Sequence, residues 1–121
     1  MKILAILMTV FVAVSHYGFM ALEMFYWNHP VGQKIFDLTP EFAEASAPLA
    51  ANQGLYNGFL ATGFVWGLLS KQTNVIIFFL GCVIVAGIYG GFTAKTSILY
   101  VQALPAFIAM VLVWFTRPKT V

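Results

Sequence analysis

Glu23 and His16 are the side chains of this sequence best suited to moving a proton in an apolar setting. They lie seven residues apart in the apolar stretch Ile3–Trp27, and the segment HYGFMALE that they bracket holds no other charge. An ionisable group at membrane depth costs at least ~2.5–3.5 kcal/mol on insertion scales, so an intramembrane carboxylate marks a candidate site. On a helix of 3.6 residues per turn, positions seven apart fall within about 20° of each other, so Thr9, His16 and Glu23 form one stripe. Roughly 10 Å of helix axis separates His16 from Glu23 at ~1.5 Å per residue. A direct hydrogen bond between them is therefore excluded, and each needs a partner from another helix, a water or a ligand.

The neighbouring apolar runs supply polar groups to meet them. Asn52, Gln53, Tyr56 and Asn57 form a cluster in the second run, Tyr89 lies in the third and Gln102 in the fourth. Asn52 shares a helix face with Tyr56, and Gln53 with Asn57, so the four cover a sector of about 140°. With the N-terminus inside, Glu23 and all of these fall in the outer half of the membrane, while His16 lies nearer the midplane. Amides bridging helices are common, at ~0.6 kcal/mol each, but such bridging has no need of a charge. The expectation is a polar pocket opening outward. In it, Glu23 and His16 are the catalytic pair and Asn52, Gln53, Tyr56, Asn57, Tyr89 and Gln102 bind substrate. The chemistry is general acid/base catalysis, with the amides stabilising developing charge.

The elements that position these groups are set by hydropathy. Of 121 residues, 61% are hydrophobic and 8% charged, against roughly 25% charged in an average soluble domain. Four runs, about 3–27, 48–69, 75–94 and 98–115, approach the ~20 residues that cross the hydrocarbon as a helix. The fold class expected is all-α: a single integral membrane domain, residues 1–121, forming a four-transmembrane-helix bundle. A short interfacial helix is expected between the first two spans, from Pro40 to about Ser46. There Thr39 can N-cap, Pro40 fits the first helical position, and Glu41 meets the positive end of the dipole. Pro105 falls inside the fourth run, where it is expected to kink the helix slightly.

The N-terminal MKILAILMTVFVAV resembles a signal peptide, but no small-x-small site follows and the apolar character continues to Trp27, so an uncleaved first span is expected. Lys2, Lys71, Arg117 and Lys119 against Lys34 and Lys95 divides the six basic residues four to two. That bias places both termini in the cytoplasm of a multi-pass cell-membrane protein. The lipid bilayer is the first partner implied. A formal charge of +2 with no basic run gives no footing for nucleic acid. Gly54/Gly58, Gly63/Gly67 and Gly87/Gly91 are three GxxxG pairs, which serve packing within one bundle or homodimerisation. Cys82 is the sole cysteine, so no intrachain disulfide forms. His16, Glu23 and Cys82 lack the spacings of a metal site, and no cofactor motif is present, so neither metal nor cofactor is expected.

The strings LEMFYW, GQKIFDLTPEFAEASAPLAANQGLYNGFLATGFVWGLL, FFLGCVIVAGIYGGFT and VQALPA closely resemble the domain-of-unknown-function 1304 family of small integral membrane proteins, over nearly the whole chain. The resemblance implies four membrane helices, and some members carry an epimerase label. Glu23, Asn52, Gln53, Asn57 and Gln102 lie in the resembling segments, and His16 lies just outside the strongest match. Three functions compete. The first is a cofactor-independent isomerase or epimerase acting on a small amphipathic or lipid-like molecule; its architecture is loosely similar to that of sterol isomerases of the emopamil-binding type. The second is a proton-coupled transporter similar in size to the small multidrug resistance proteins, whose sequence is not present. The third is a structural or accessory role.

Overall fold

The computed structural model describes residues 1–119. Among them lie five α-helices and one π-helical segment, with no strand: α1 Ile3–Phe25, α2 Pro30–Phe36, α3 Pro40–Leu69, α4 Thr73–Thr93, the π segment Leu99–Ala103 and α5 Leu104–Thr116. Three stretches, α1, α4 and Leu99–Thr116, are long and apolar enough to cross a membrane, rather than the expected four. The shortfall is α3. Asn52, Gln53 and Asn57 interrupt its apolar run, so the amides that suggest a site also lower its hydropathy.

The region between α1 and α3 differs from expectation in a second way. A short helix is present, but it is α2, not a separate helix at Pro40–Ser46. His29 caps it, its Nδ1 accepting from the Val31 N–H at 3.1 Å, and Pro30 follows at the start. Asp37 ends it in the left-handed region at φ 55, a conformation that Asp tolerates. Thr39 Oγ1 then accepts from the Phe42 N–H at 3.2 Å, and Pro40 opens a single 30-residue helix. Pro48 sits inside α3 without ending it. It removes one hydrogen bond, to the carbonyl of Glu44, and both residues are exposed.

A π segment immediately precedes Leu104 and Pro105. Without an N–H it cannot bond the Val101 carbonyl, and the preceding turn widens: the Leu104 N–H reaches back five residues to Leu99. Such π turns typically sit inside or beside α-helices.

The chain divides into two compact units, Val14–Ala61 in one and Met1–Ala13 with everything from Thr62 on in the other. In the second, α4 packs on the π segment and α5, around a core that includes Phe64, Ile76, Leu80, Val83, Ala109 and Val113. Glycines set the approach of its helices. A Cβ on Gly67 would meet Ile76 Cγ1 at 2.7 Å, and one on Gly87 would meet the Ala103 backbone nitrogen at 2.8 Å. In the unit Val14–Ala61, the later part of α1 runs antiparallel to the early part of α3: Met20 meets Gly58, and Met24 meets Gly54. All six GxxxG glycines are buried in the chain, each against side chains of another helix or segment.

Candidate functional site

The buried face of α1 comprises Ala5, Thr9, Val12, Ala13, His16 and Glu23, the three- and four-residue spacing of an inward stripe. Thr9 satisfies its own hydroxyl, donating to the Ala5 carbonyl at 2.8 Å. His16 is fully buried and meets Phe19 edge to face, with ring centroids 5.2 Å apart. Glu23, two turns further on, is 8% exposed.

On α3 the inward positions are Ala50, Gly54, Asn57, Gly58 and Ala61. At about 100° per residue these occupy a sector of roughly 100°. Asn52 and Tyr56 lie about opposite that sector, and Gln53 lies just beyond its edge. The exposures follow: Asn57 is 9% exposed, whereas Asn52, Gln53 and Tyr56 are all on the surface. Tyr56 packs edge to face on Phe59 at 5.8 Å. Of the four polar residues in this run, only Asn57 turns inward.

Asn57 meets Glu23. Its Nδ2 donates to Glu23 Oε1 at 2.8 Å, a buried bond between residues 34 apart in sequence. Both side chains are short, so the helices must come close. Gly54 permits it: a Cβ there would lie 2.8 Å from Met24 Cγ, 3.0 Å from Glu23 Cβ and 3.1 Å from the Met20 carbonyl oxygen. At Gly58 a Cβ would come within 2.6 Å of Met20 Sδ. Met20 and Met24, one turn apart, thus flank the pair with flexible apolar cover.

Tyr89 is 71% exposed on α4, and Gln102 is half-buried in the π segment. Neither belongs to the unit that holds Glu23 and Asn57. Among the described residues no group of three or more His, Cys, Asp or Glu could hold a metal ion.

Two contributors escape a reading of polar residues. Gly54 and Gly58 belong to the site because of what they lack, and the GxxxG spacing was the available signal. Trp27 is the other: its Nε1 donates to Ser46 Oγ at 2.9 Å, and Ser46 Oγ donates to the Phe42 carbonyl at 2.6 Å. With Phe36 against the Trp27 ring at 4.8 Å, this anchor ties the end of α1 to the start of α3 just beyond the Glu23–Asn57 pair.

Residues 10–114 match the family described as "Protein of unknown function (DUF1304)". This chain belongs to that family. The matched span includes His16, Glu23, Gly54, Asn57 and Gly58. The chain is also similar to the uncharacterized protein YpaA of Lactococcus lactis subsp. lactis (strain IL1403), at 29% identity over 119 residues, which is 95% of this chain and 100% of that protein. No solved structure matches. The family is described by its unknown function alone.

Proposed function

We propose that this DUF1304 protein is a four-span membrane protein in which Glu23 and Asn57 bind the polar end of a small amphipathic or lipid-like molecule. In this reading Glu23 is the general acid/base of a cofactor-independent isomerisation or epimerisation. The observation that carries it is the 2.8 Å bond from Asn57 Nδ2 to the buried Glu23 carboxyl. A primary amide both donates and accepts. It can donate to a carboxylate through Nδ2 and, turned over, accept from a carboxylic acid through Oδ1. A proton can therefore reach or leave Glu23 without the pair being broken, as proton transfer to and from a substrate carbon requires. A cationic partner could not do this.

Four spans follow from counting α3 with the other three. Its 30 residues measure about 45 Å at ~1.5 Å per residue, longer than the ~30 Å hydrocarbon core. A turn of only three residues, 70–72, joins it to α4. Both termini are then cytoplasmic, which puts Lys2, Lys71, Arg117 and Lys119 on the inner side.

The test is mass spectrometry of lipids and small molecules that co-purify with the protein in nanodiscs, compared between wild type and Glu23→Gln. Glutamine keeps an acceptor for Asn57 and removes the proton-transfer group. The wild type should retain a molecule that Glu23→Gln loses, and in D2O that molecule should take up solvent deuterium only with the wild type. Equal retention and equal deuterium content would remove Glu23 from the function. Proton-coupled uptake into proteoliposomes, lost in Glu23→Gln, would instead assign the carboxyl to transport.

A further inference from the structure

At the other end of the sequence a second site presents a different chemistry. The turn from α3 into α4 and the residues that follow α5 enclose an open cleft of about 850 Å³. Lys71, Arg117 and Lys119 line it, with Gln72, Thr73 and Asn74 from the start of α4. No acidic side chain is among its described lining residues, and all four acidic residues of the chain fall between positions 23 and 44. Three cations around one cleft repel each other unless an anion joins them.

Two further features fit an oxyanion. The side chain of Gln72 does not cap α4, so the first turn of the helix offers backbone N–H groups and the positive dipole end to the same space. Arg117 sits over the Trp114 ring, with its guanidinium carbon 3.6 Å from the centroid. A guanidinium held on an aromatic ring keeps N–H donors for bidentate bonds to a planar or tetrahedral oxyanion.

We infer that this cleft is a phosphate-binding site, formed by Lys71, Arg117 and Lys119 at the open end of α4. Two sources present that group at a membrane surface: the headgroup of an anionic phospholipid, and free inorganic phosphate. Trp114 and Phe115 favour the lipid. Both line the cleft and both are exposed, Phe115 by 80%, at the end of a strongly apolar helix where aromatics commonly meet the interface. An acyl chain can lie along them while its phosphate sits among the cations. Basic pockets between membrane helices on the cytoplasmic side hold anionic headgroups in this way. The site goes beyond the Glu23–Asn57 reading and does not depend on it.

The experiment is native mass spectrometry of the purified full-length chain in detergent, titrated separately with phosphatidylglycerol, phosphatidylcholine and inorganic phosphate. In detergent, membrane orientation cannot affect the outcome. The wild type should hold phosphatidylglycerol in preference to phosphatidylcholine. Lys71→Gln and Arg117→Gln should each weaken it roughly fivefold, the fold-change that about 1 kcal/mol per basic residue near an anionic surface corresponds to. Lys2→Gln removes the same charge away from the cleft and should leave phosphatidylglycerol binding unchanged. Binding of inorganic phosphate, lost in the same two variants and without lipid preference, would keep the phosphate site and assign it to the free anion. Equal losses from Lys2→Gln and Lys71→Gln would mean that net charge alone attracts the lipid, and would overturn the proposal. So would wild-type binding of neither anion. Circular dichroism of each variant separates loss of the site from loss of the fold.

Discussion

Asn57 of α3 reaches Glu23 of α1 with a 2.8 Å hydrogen bond because Gly54, one turn away, carries no side chain between the two helices. The relationship joins a polar contact to a steric one. Remove the space and the amide cannot arrive; remove the amide and the carboxyl is left buried without this donor.

The pair should behave as an energetic unit. A double-mutant cycle of Glu23→Ala and Asn57→Ala, followed by reversible unfolding in mixed detergent, is expected to give a coupling of about 1 kcal/mol, between the ~0.6 kcal/mol average and the ~1.7 kcal/mol maximum for interhelical polar pairs in membranes. Strict additivity of the two substitutions would show that the contact contributes nothing to stability.

Glycine-to-alanine substitutions should divide by what the new methyl meets. At Gly54 the methyl meets Met24, Glu23 and the Met20 backbone, and at Gly87 it meets the Ala103 backbone at 2.8–2.9 Å; each should cost about 1–3 kcal/mol by overpacking. Gly18 has nothing within 4 Å, and Gly81 meets only Met110 Cε at 4.0 Å. Alanine at either should be neutral or stabilise by up to ~1 kcal/mol through helix propensity. Unfolding free energies of the four variants decide it, and equal costs at Gly54 and Gly18 would contradict the close approach.

Trp27→Phe keeps the ring beside Phe36 and deletes the indole N–H that donates to Ser46. Ser46→Ala deletes the same bond from the other side. Each should cost about 0.5–1.5 kcal/mol, and the double variant little more than either alone. Hydrogen exchange across residues 26–46 should accelerate equally in all three. Additive effects would mean that the bond is not shared.

Whether α3 crosses the membrane can be read by labelling. In a Cys82→Ala background, single cysteines at Asp37 and Lys95 should react with an impermeant thiol reagent from outside, and those at Lys71 and Lys119 only after permeabilisation. Lys71 and Asp37 reacting from the same side would show that α3 does not span.

The sequence by itself determined the helical class, the apolar stripe of α1 with its single carboxyl, the helix start at Thr39–Pro40, and the small-residue spacings that allow close packing. These are local properties, set by hydropathy, periodicity and backbone sterics within one segment. Tertiary structure decided which of Asn52, Gln53, Tyr56 and Asn57 turns inward, because the rotation of α3 depends on where its glycines find a partner helix. It also decided that α3 continues through Pro48, whose lost hydrogen bond falls at an exposed position, and that the turn before Pro105 widens into a π segment. Helical periodicity within residues 48–69 sets Asn57, and not Asn52, beside Gly54 and Gly58, but nothing there says what that face meets. That is decided only when Gly54 and Gly58 admit Met20 and Met24, leaving Asn57 facing a carboxyl 34 residues away.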